Sequence, residues 1–148
     1  MSIEIIEDAT PELEEAFARL IPQLSQSSTP MKIEDLERLL AQDSITLLAY
    51  RADEPDAQGR RPILGMLSLV TFEIPTGVRA WVEDVVVDSN ARGHGAGQKL
   101  AEAAVEIAQR QGAKSIDLTS RPSREAANRL YKRVGFELRE TNVYRYKA

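Results

Sequence analysis

The sequence predicts a single α/β (α+β) domain over residues 1–148, a mixed and mostly antiparallel sheet of six to seven strands flanked by four helices on both faces. Three observations carry this. Apolar side chains recur at period two in some short runs and at three- and four-residue spacing in others, so strands and amphipathic helices share one chain. Two long strand-like runs are joined by Pro75-Thr76-Gly77, a connection of hairpin length. A glycine-rich turn, Arg92-Gly93-His94-Gly95-Ala96-Gly97, separates the apolar run Val85-Val86-Val87 from an amphipathic segment that begins near Gln98. With 148 residues, 43% hydrophobic and 28% charged, the chain has apolar material for one core.

The elements follow in order. Ile3 and Ile5 alternate with Glu4 and Ile6 in a first strand, which stops before Thr10-Pro11, a helix cap followed by proline at the first helical position. A helix over 11–24 carries the stripe Leu13, Phe17, Leu20, Ile21 and Leu24, with Pro22 expected to fray or kink its last turn. The polar connector Ser25–Pro30, a candidate mobile lid, leads to a second helix marked by Ile33, Leu36, Leu39 and Leu40. Strands are expected over Ile45–Arg51, Ile63–Ile74 and Arg79–Asp88, as an antiparallel meander. After the glycine turn, Leu100, Ala104, Ile107 and Ala108 mark a third helix ending near Gly112. Ile116, Leu118 and Ser120 form a strand, and Ser123 caps a fourth helix with Ala127, Leu130, Tyr131 and Val134 on one face, closed by Gly135-Phe136. Two short terminal strands complete the chain.

Composition narrows the chemistry. The absence of cysteine removes thiol nucleophiles and disulfides, and a single histidine leaves little scope for zinc, so no metal is expected. The opening residues Met1–Asp8 lack a basic region followed by an apolar stretch, and no run reaches bilayer length, which predicts a cytoplasmic protein with no membrane partner. The net charge of −4 is unevenly spread: residues 1–78 carry 6 basic and 14 acidic side chains, residues 79–148 carry 13 and 9. That division suits an anionic ligand against the carboxyl-terminal half and a cationic one near the acidic half, while most of these charges are simply solvated. A pI of about 5.1, with no aromatics interleaved among the basic residues, argues against nucleic acid.

The turn at Arg92–Gly97 is an anion cradle: glycines admit a ligand to the backbone, and the helix start beyond offers unpaired N–H groups. A dinucleotide fingerprint would place a third glycine where Gln98 stands, and a nucleoside triphosphate loop would follow Gly97 with Lys-Ser/Thr rather than Gln98-Lys99-Leu100. The spacing of Arg92, Gly95 and Gly97 instead resembles the Arg/Gln-x-x-Gly-x-Gly/Ala pyrophosphate loop of the GNAT family of N-acetyltransferases. Asn128-Arg129-Leu130-Tyr131-Lys132-Arg133-Val134-Gly135-Phe136 resembles that family's Asn-x-x-Tyr-x-x-x-Gly-Phe segment. The element order also matches, so the likeness covers essentially the whole chain. Ala96, smaller than the usual branched aliphatic, and Ser89, where proline is frequent, depart from the pattern and bear on loop rigidity.

The resemblance implies acetyl-CoA as co-substrate and acetyl transfer to a primary amine by direct attack in a ternary complex. It implies that the fourth and fifth strands splay apart and that backbone groups of Val85, Val86 and Val87 bond to the pantetheine arm. It places the backbone N–H groups of Arg92, Gly93, His94, Gly95, Ala96, Gly97 and Gln98 on the diphosphate and Asn128 on the pantetheine amide, and counts Tyr131 and Arg133 among the cofactor-binding residues. Tyr131 matches the family's usual general acid, and a phenol suits protonation of a leaving thiolate; it is otherwise an amphipathic core tyrosine. Trp81, Glu83, Val85 and Val87 alternate along one strand and share a face if it is regular. Partly buried there, Glu83 is either the general base or a ligand for a cationic acceptor. Asp84 faces away unless a bulge reorients it. His94 occupies a variable loop position, and residues Thr119–Ser123 either shape the acceptor pocket or form a plain turn. The acceptor is a small-molecule or peptide amine: Val82–Val87 resembles the matching strand of glucosamine-phosphate acetyltransferases, but six residues identify no acceptor. Family members often dimerise, so a homodimer using Tyr144 and Tyr146 is a further expectation. A non-catalytic acyl-CoA sensor is the alternative function; it would need the loop and Asn128 but neither Tyr131 nor Glu83.

Overall fold

Five strands lie side by side in sequence order in one sheet, β1 (Ser2–Ile6), β2 (Ile45–Arg51), β3 (Ile63–Ile74), β4 (Gly77–Val87) and β5 (Ser115–Asp117). They belong to a computed structural model that describes residues 2–148. The first three pairings are antiparallel and the last is parallel. Four helices flank the sheet, α1 (Pro11–Leu24), α2 (Ile33–Leu40), α3 (Ala96–Arg110) and α4 (Glu125–Val134). A parallel neighbour needs a crossover, and α3 supplies it between β4 and β5. The mixed α+β fold is as expected.

Local chemistry sets the boundaries. Thr10 caps α1, its Oγ1 accepting from the Leu13 N–H at 3.1 Å, and Pro11 occupies the first helical position. Pro22 stands inside α1, which nevertheless runs to Leu24. The Pro75-Thr76 turn pairs Ile74 directly with Gly77, a two-residue hairpin with Gly77 at φ +129°. Ser123 does not cap α4; Arg124 takes the cap position without a side-chain bond.

Both sheet faces are covered. Leu13, Phe17 and Leu20 of α1 and Leu36 of α2 pack on Leu47, Met66 and Val86, whereas Leu100, Ala104 and Ala108 of α3 pack on Leu48, Leu67, Leu69, Ala80 and Val82. Each fully buried leucine contributes about 1.5–3 kcal/mol by leaving water. Alanines on α3 let that helix sit close to the sheet.

The two terminal strands do not form, and the sheet has five strands rather than six or seven. Leu138, Val143, Tyr144 and Tyr146 are 70–96% exposed, so their alternation has no buried face to fill. Only Ser115–Asp117 of the fifth strand pairs, against Arg79–Trp81, where Ile116–Ser120 was expected. A ladder that short gives an added strand little to bond to.

Candidate active site

The site begins where β4 stops being regular. Ser68 pairs with Glu83 but Met66 pairs with Val86, so β4 holds one extra residue at Asp84-Val85. Asp84 takes φ +49°, the one non-glycine residue with positive φ among those described. The extra residue flips the alternation: Ala80, Val82, Val85 and Val87 lie on the α3 side, while Val86 joins the α1 side. The expected common face of Trp81, Glu83, Val85 and Val87 is therefore broken between Glu83 and Val85. Glu83 and Asp84 are both exposed, so Glu83 lacks the partial burial expected of it. The ladder between β4 and β5 ends at Trp81/Asp117, ahead of the bulge, and Glu83–Val87 has no ladder partner on the β5 side.

Beyond β4 the chain makes a short 3₁₀ turn, Ser89–Ala91, and enters the glycine turn. Ala91 and Ala96 are buried, whereas Arg92, Gly93, His94 and Gly95 are exposed between them. Gly93 at φ +88° and Gly95 at φ +78° hold left-handed conformations, and a Cβ on either would meet nothing within 4 Å. Both are glycine for backbone conformation, not for lack of room. Gly97 differs, since its Cβ would lie 3.0 Å from Cδ1 of Leu130 on α4. Its role is close helix contact. Gly95 occupies the cap position of the 15-residue α3, whose first turn carries no acidic side chain to compete for its N–H groups. Gln98 Oε1 accepts from Arg133 Nε at 3.5 Å, joining two of the expected cofactor residues across α3 and α4.

Helix α4 brings Asn128 and Tyr131 to a cleft of about 1270 Å³, lined also by Leu118, Thr119, Ser120 and Phe136. Tyr131 is buried, its ring edge-on to Phe136 at 5.9 Å and 71°. Burial pushes its phenol pKa up, against a smaller opposing effect of Arg124. The Asn128 side-chain amide donates to the carbonyls of Arg121 at 3.1 Å and Pro122 at 3.5 Å, pinning the turn before α4. Ser120 Oγ is buried without a hydrogen-bond partner. Neither Glu83 nor the glycine turn lines this cleft. The expected residues thus fall into three neighbouring groups: the Asn128–Tyr131 cleft, the Gln98–Arg133 pair with its turn, and the open edge of β4.

Three residues that build the site carried no signal in the sequence. Asp88 is the buried charged side chain among the described residues, and its Oδ2 accepts from Arg19 Nη1 of α1 at 2.9 Å. Its Oδ1 accepts from the Asn90 N–H, and the Ser89 N–H donates to Gln23 Oε1 of α1 at 2.9 Å. The Asn90 amide, followed by Arg19, holds the Asp88 carboxyl below its ordinary range against the opposing effect of burial. Arg19 stands 69 residues from Asp88, beyond reach of any spacing rule.

Among the described residues, no group of three His, Cys, Asp or Glu side chains is placed to hold a metal ion, and no helix is long and apolar enough to cross a membrane. The model of the acetyltransferase (GNAT) family matches residues 6–136. No curated protein matches the chain. Solved structures do share its fold. An aminoglycoside acetyltransferase from an uncultured soil metagenomic sample, solved with trehalose, superposes with TM-score 0.79 at 19% identity, over 99% of this chain and 95% of that one. An acetyltransferase from Trypanosoma brucei gives 0.76 at 21%, over 99% of each chain. Glucosamine-6-phosphate N-acetyltransferase from Arabidopsis thaliana gives 0.74 at 18%, again over 99% of each.

Proposed function

Because the chain belongs to the acetyltransferase (GNAT) family, we propose that it moves an acetyl group from acetyl-CoA to a primary amine by direct attack in a ternary complex. The observation that carries this reading is the turn Arg92–Gly95, two left-handed glycines exposed at the start of α3, one short 3₁₀ turn beyond a bulged strand. Backbone N–H groups from Arg92 to Gln98 hold the diphosphate there, with the Arg92 and Arg133 guanidiniums adding charge. Backbone groups of Val85–Val87 on the side away from β3 receive the pantetheine arm, and Asn128, whose side-chain oxygen is not used by its bonds to Arg121 and Pro122, accepts from it.

Acetyl-CoA supplies an activated thioester carbonyl. The amine nitrogen bonds to that carbon, the carbon–sulfur bond breaks, and Tyr131 gives its phenolic proton to the sulfur. The raised phenol pKa keeps that proton in place until it is needed. The ammonium proton that must leave first passes through water to Glu83, whose exposed carboxylate also attracts a cationic acceptor. The nitrogen loses a second proton to water as the amide forms and Tyr131 is recharged from solvent, so from the ammonium form two protons leave, one is taken back, and one is released per turnover. The acceptor is a small-molecule or peptide amine, and the setting is cytoplasmic.

The reading is tested by measuring thiol release from acetyl-CoA across a panel of amines. Amine-dependent release is expected. Tight coenzyme A binding with no transfer to any acceptor would identify a non-catalytic acyl-CoA sensor instead. We further propose that two copies associate through the exposed apolar side chains of residues 138–146, which light scattering checks.

A further inference from the structure

Resting on the acetyl-CoA reading above, we propose that Arg19 and Gln23 of α1 are positioning residues for the diphosphate loop: they fix its base, residues 88–91, and so set how tightly the donor is held. The loop has two anchored ends of different construction. At its far end Ala96 is buried in the core under α3, and the helix itself fixes the backbone. At its near end β4 has stopped, and side chains from a helix on the other sheet face take over.

That anchoring is complete in its hydrogen bonds. The Asp88 N–H donates to the Leu64 carbonyl at 2.8 Å, and the Asp88 carbonyl accepts from Ala91 at 2.8 Å. Its carboxylate bridges the Asn90 N–H at 3.0 Å and Arg19 Nη1 at 2.9 Å, while Arg19 Nη2 donates to the Ile63 carbonyl at 2.9 Å. One planar guanidinium therefore ties the loop base and β3 to α1 in a fixed geometry. Gln23 completes the set, its Oε1 accepting from Ser89 and its Nε2 donating to the Arg19 carbonyl at 3.2 Å. The same helix reaches the other way, with Glu14 Oε2 accepting from the Ile33 N–H at the start of α2 at 2.6 Å. Helix α1 thus joins the segment leading into α2 to the donor loop.

Convergent N–H groups grip an anion only while they converge, so a loop free at one end spends its binding energy on being ordered. Gln23 is exposed and buries nothing, which separates positioning from folding. Replacing it should loosen the loop and leave the core alone.

The experiment titrates coenzyme A against wild type, Gln23→Ala and Gln23→Glu, with thermal unfolding and amide exchange at Arg92–Gly95 followed in each. Gln23→Ala is expected to weaken coenzyme A about fivefold, the loss of one hydrogen bond. Its melting temperature should stay within about 2 °C and its kcat at saturating acetyl-CoA within about twofold, because neither core nor chemistry is touched. Exchange at Arg92–Gly95 should quicken. Gln23→Glu keeps an oxygen for the Ser89 N–H but loses the donor to the Arg19 carbonyl and sets a second carboxylate beside Asp88, so it should bind coenzyme A no more tightly than Gln23→Ala. Wild-type affinity in Gln23→Ala or in Gln23→Glu overturns the proposal. A wild type that binds no coenzyme A overturns the acetyl-CoA reading, and unchanged exchange at Arg92–Gly95 in Gln23→Ala overturns the positioning role independently of it.

Discussion

Tyr131 owes its shifted ionisation to burial beside Phe136, and the direction of that shift matters for chemistry. A phenol held protonated remains an acid across the neutral and mildly alkaline range, so kcat should fall only above about pH 10, the ordinary phenol value. Tyr131→Phe is expected to lower kcat by about 100-fold or more, abolish that alkaline limb and leave coenzyme A affinity within about twofold. Steady-state rates over pH with parallel calorimetry check all three. Asp88 works in the opposite sense. Its carboxyl titrates lower folded than unfolded, so the unfolded chain binds more protons as pH falls. The stability it supplies is present above the unfolded carboxylate value and lost as pH drops through the folded one. Asp88→Asn should therefore flatten the acid side of the stability profile, read by urea unfolding at neutral pH and at about pH 3. The two residues differ in how readable they were. Tyr131 announces itself through a local run ending in Gly135-Phe136, whereas nothing near Asp88 names a partner in α1.

At the level of elements, the bulge in β4 decides the geometry, and it was not legible. Val85-Val86-Val87 fits any register, and a period-two pattern carries no mark of an inserted residue. Deleting Asp84 would leave Val85, Val86 and Val87 opposite Leu67, Met66 and Gly65 but straighten the strand. Such a protein should keep its fold yet bind coenzyme A at least about tenfold more weakly, as measured by calorimetry. The helices were legible because their stripes and caps are local: Thr10-Pro11 and the α1 leucines sit where the spacing put them. The glycines were legible as a set but not in their separate duties. Gly97→Ala gains helix propensity while pressing on a movable Leu130 methyl, and should change stability by less than about 1 kcal/mol. Gly97→Val adds volume that contact cannot absorb and should cost about 2 kcal/mol, as denaturant unfolding would show.

For the whole molecule, the hydrophobic periodicity fixed the layers and the meander but overcounted strands at the carboxyl end. Alternation there is real, yet a strand needs both a ladder and a face to cover, and the short β5 offers neither at length. At a dilution where copies are separate, removing residues 138–148 should accordingly leave the melting temperature within about 2 °C, since Leu138, Val143, Tyr144 and Tyr146 bury almost nothing within the chain. The opposite is true of the seam between α3 and α4. Gly97 against Leu130, backed by Gln98 and Arg133, holds α4, and Tyr131 with it, against the start of α3. On the acetyl-CoA reading proposed above, the seam would act as a calliper, with one jaw at the charged end of the donor and the other where its sulfur would lie. Length along the donor would then be measured by that one helix contact, and a shorter or longer thioester carrier would be gripped at one jaw and missed by the other.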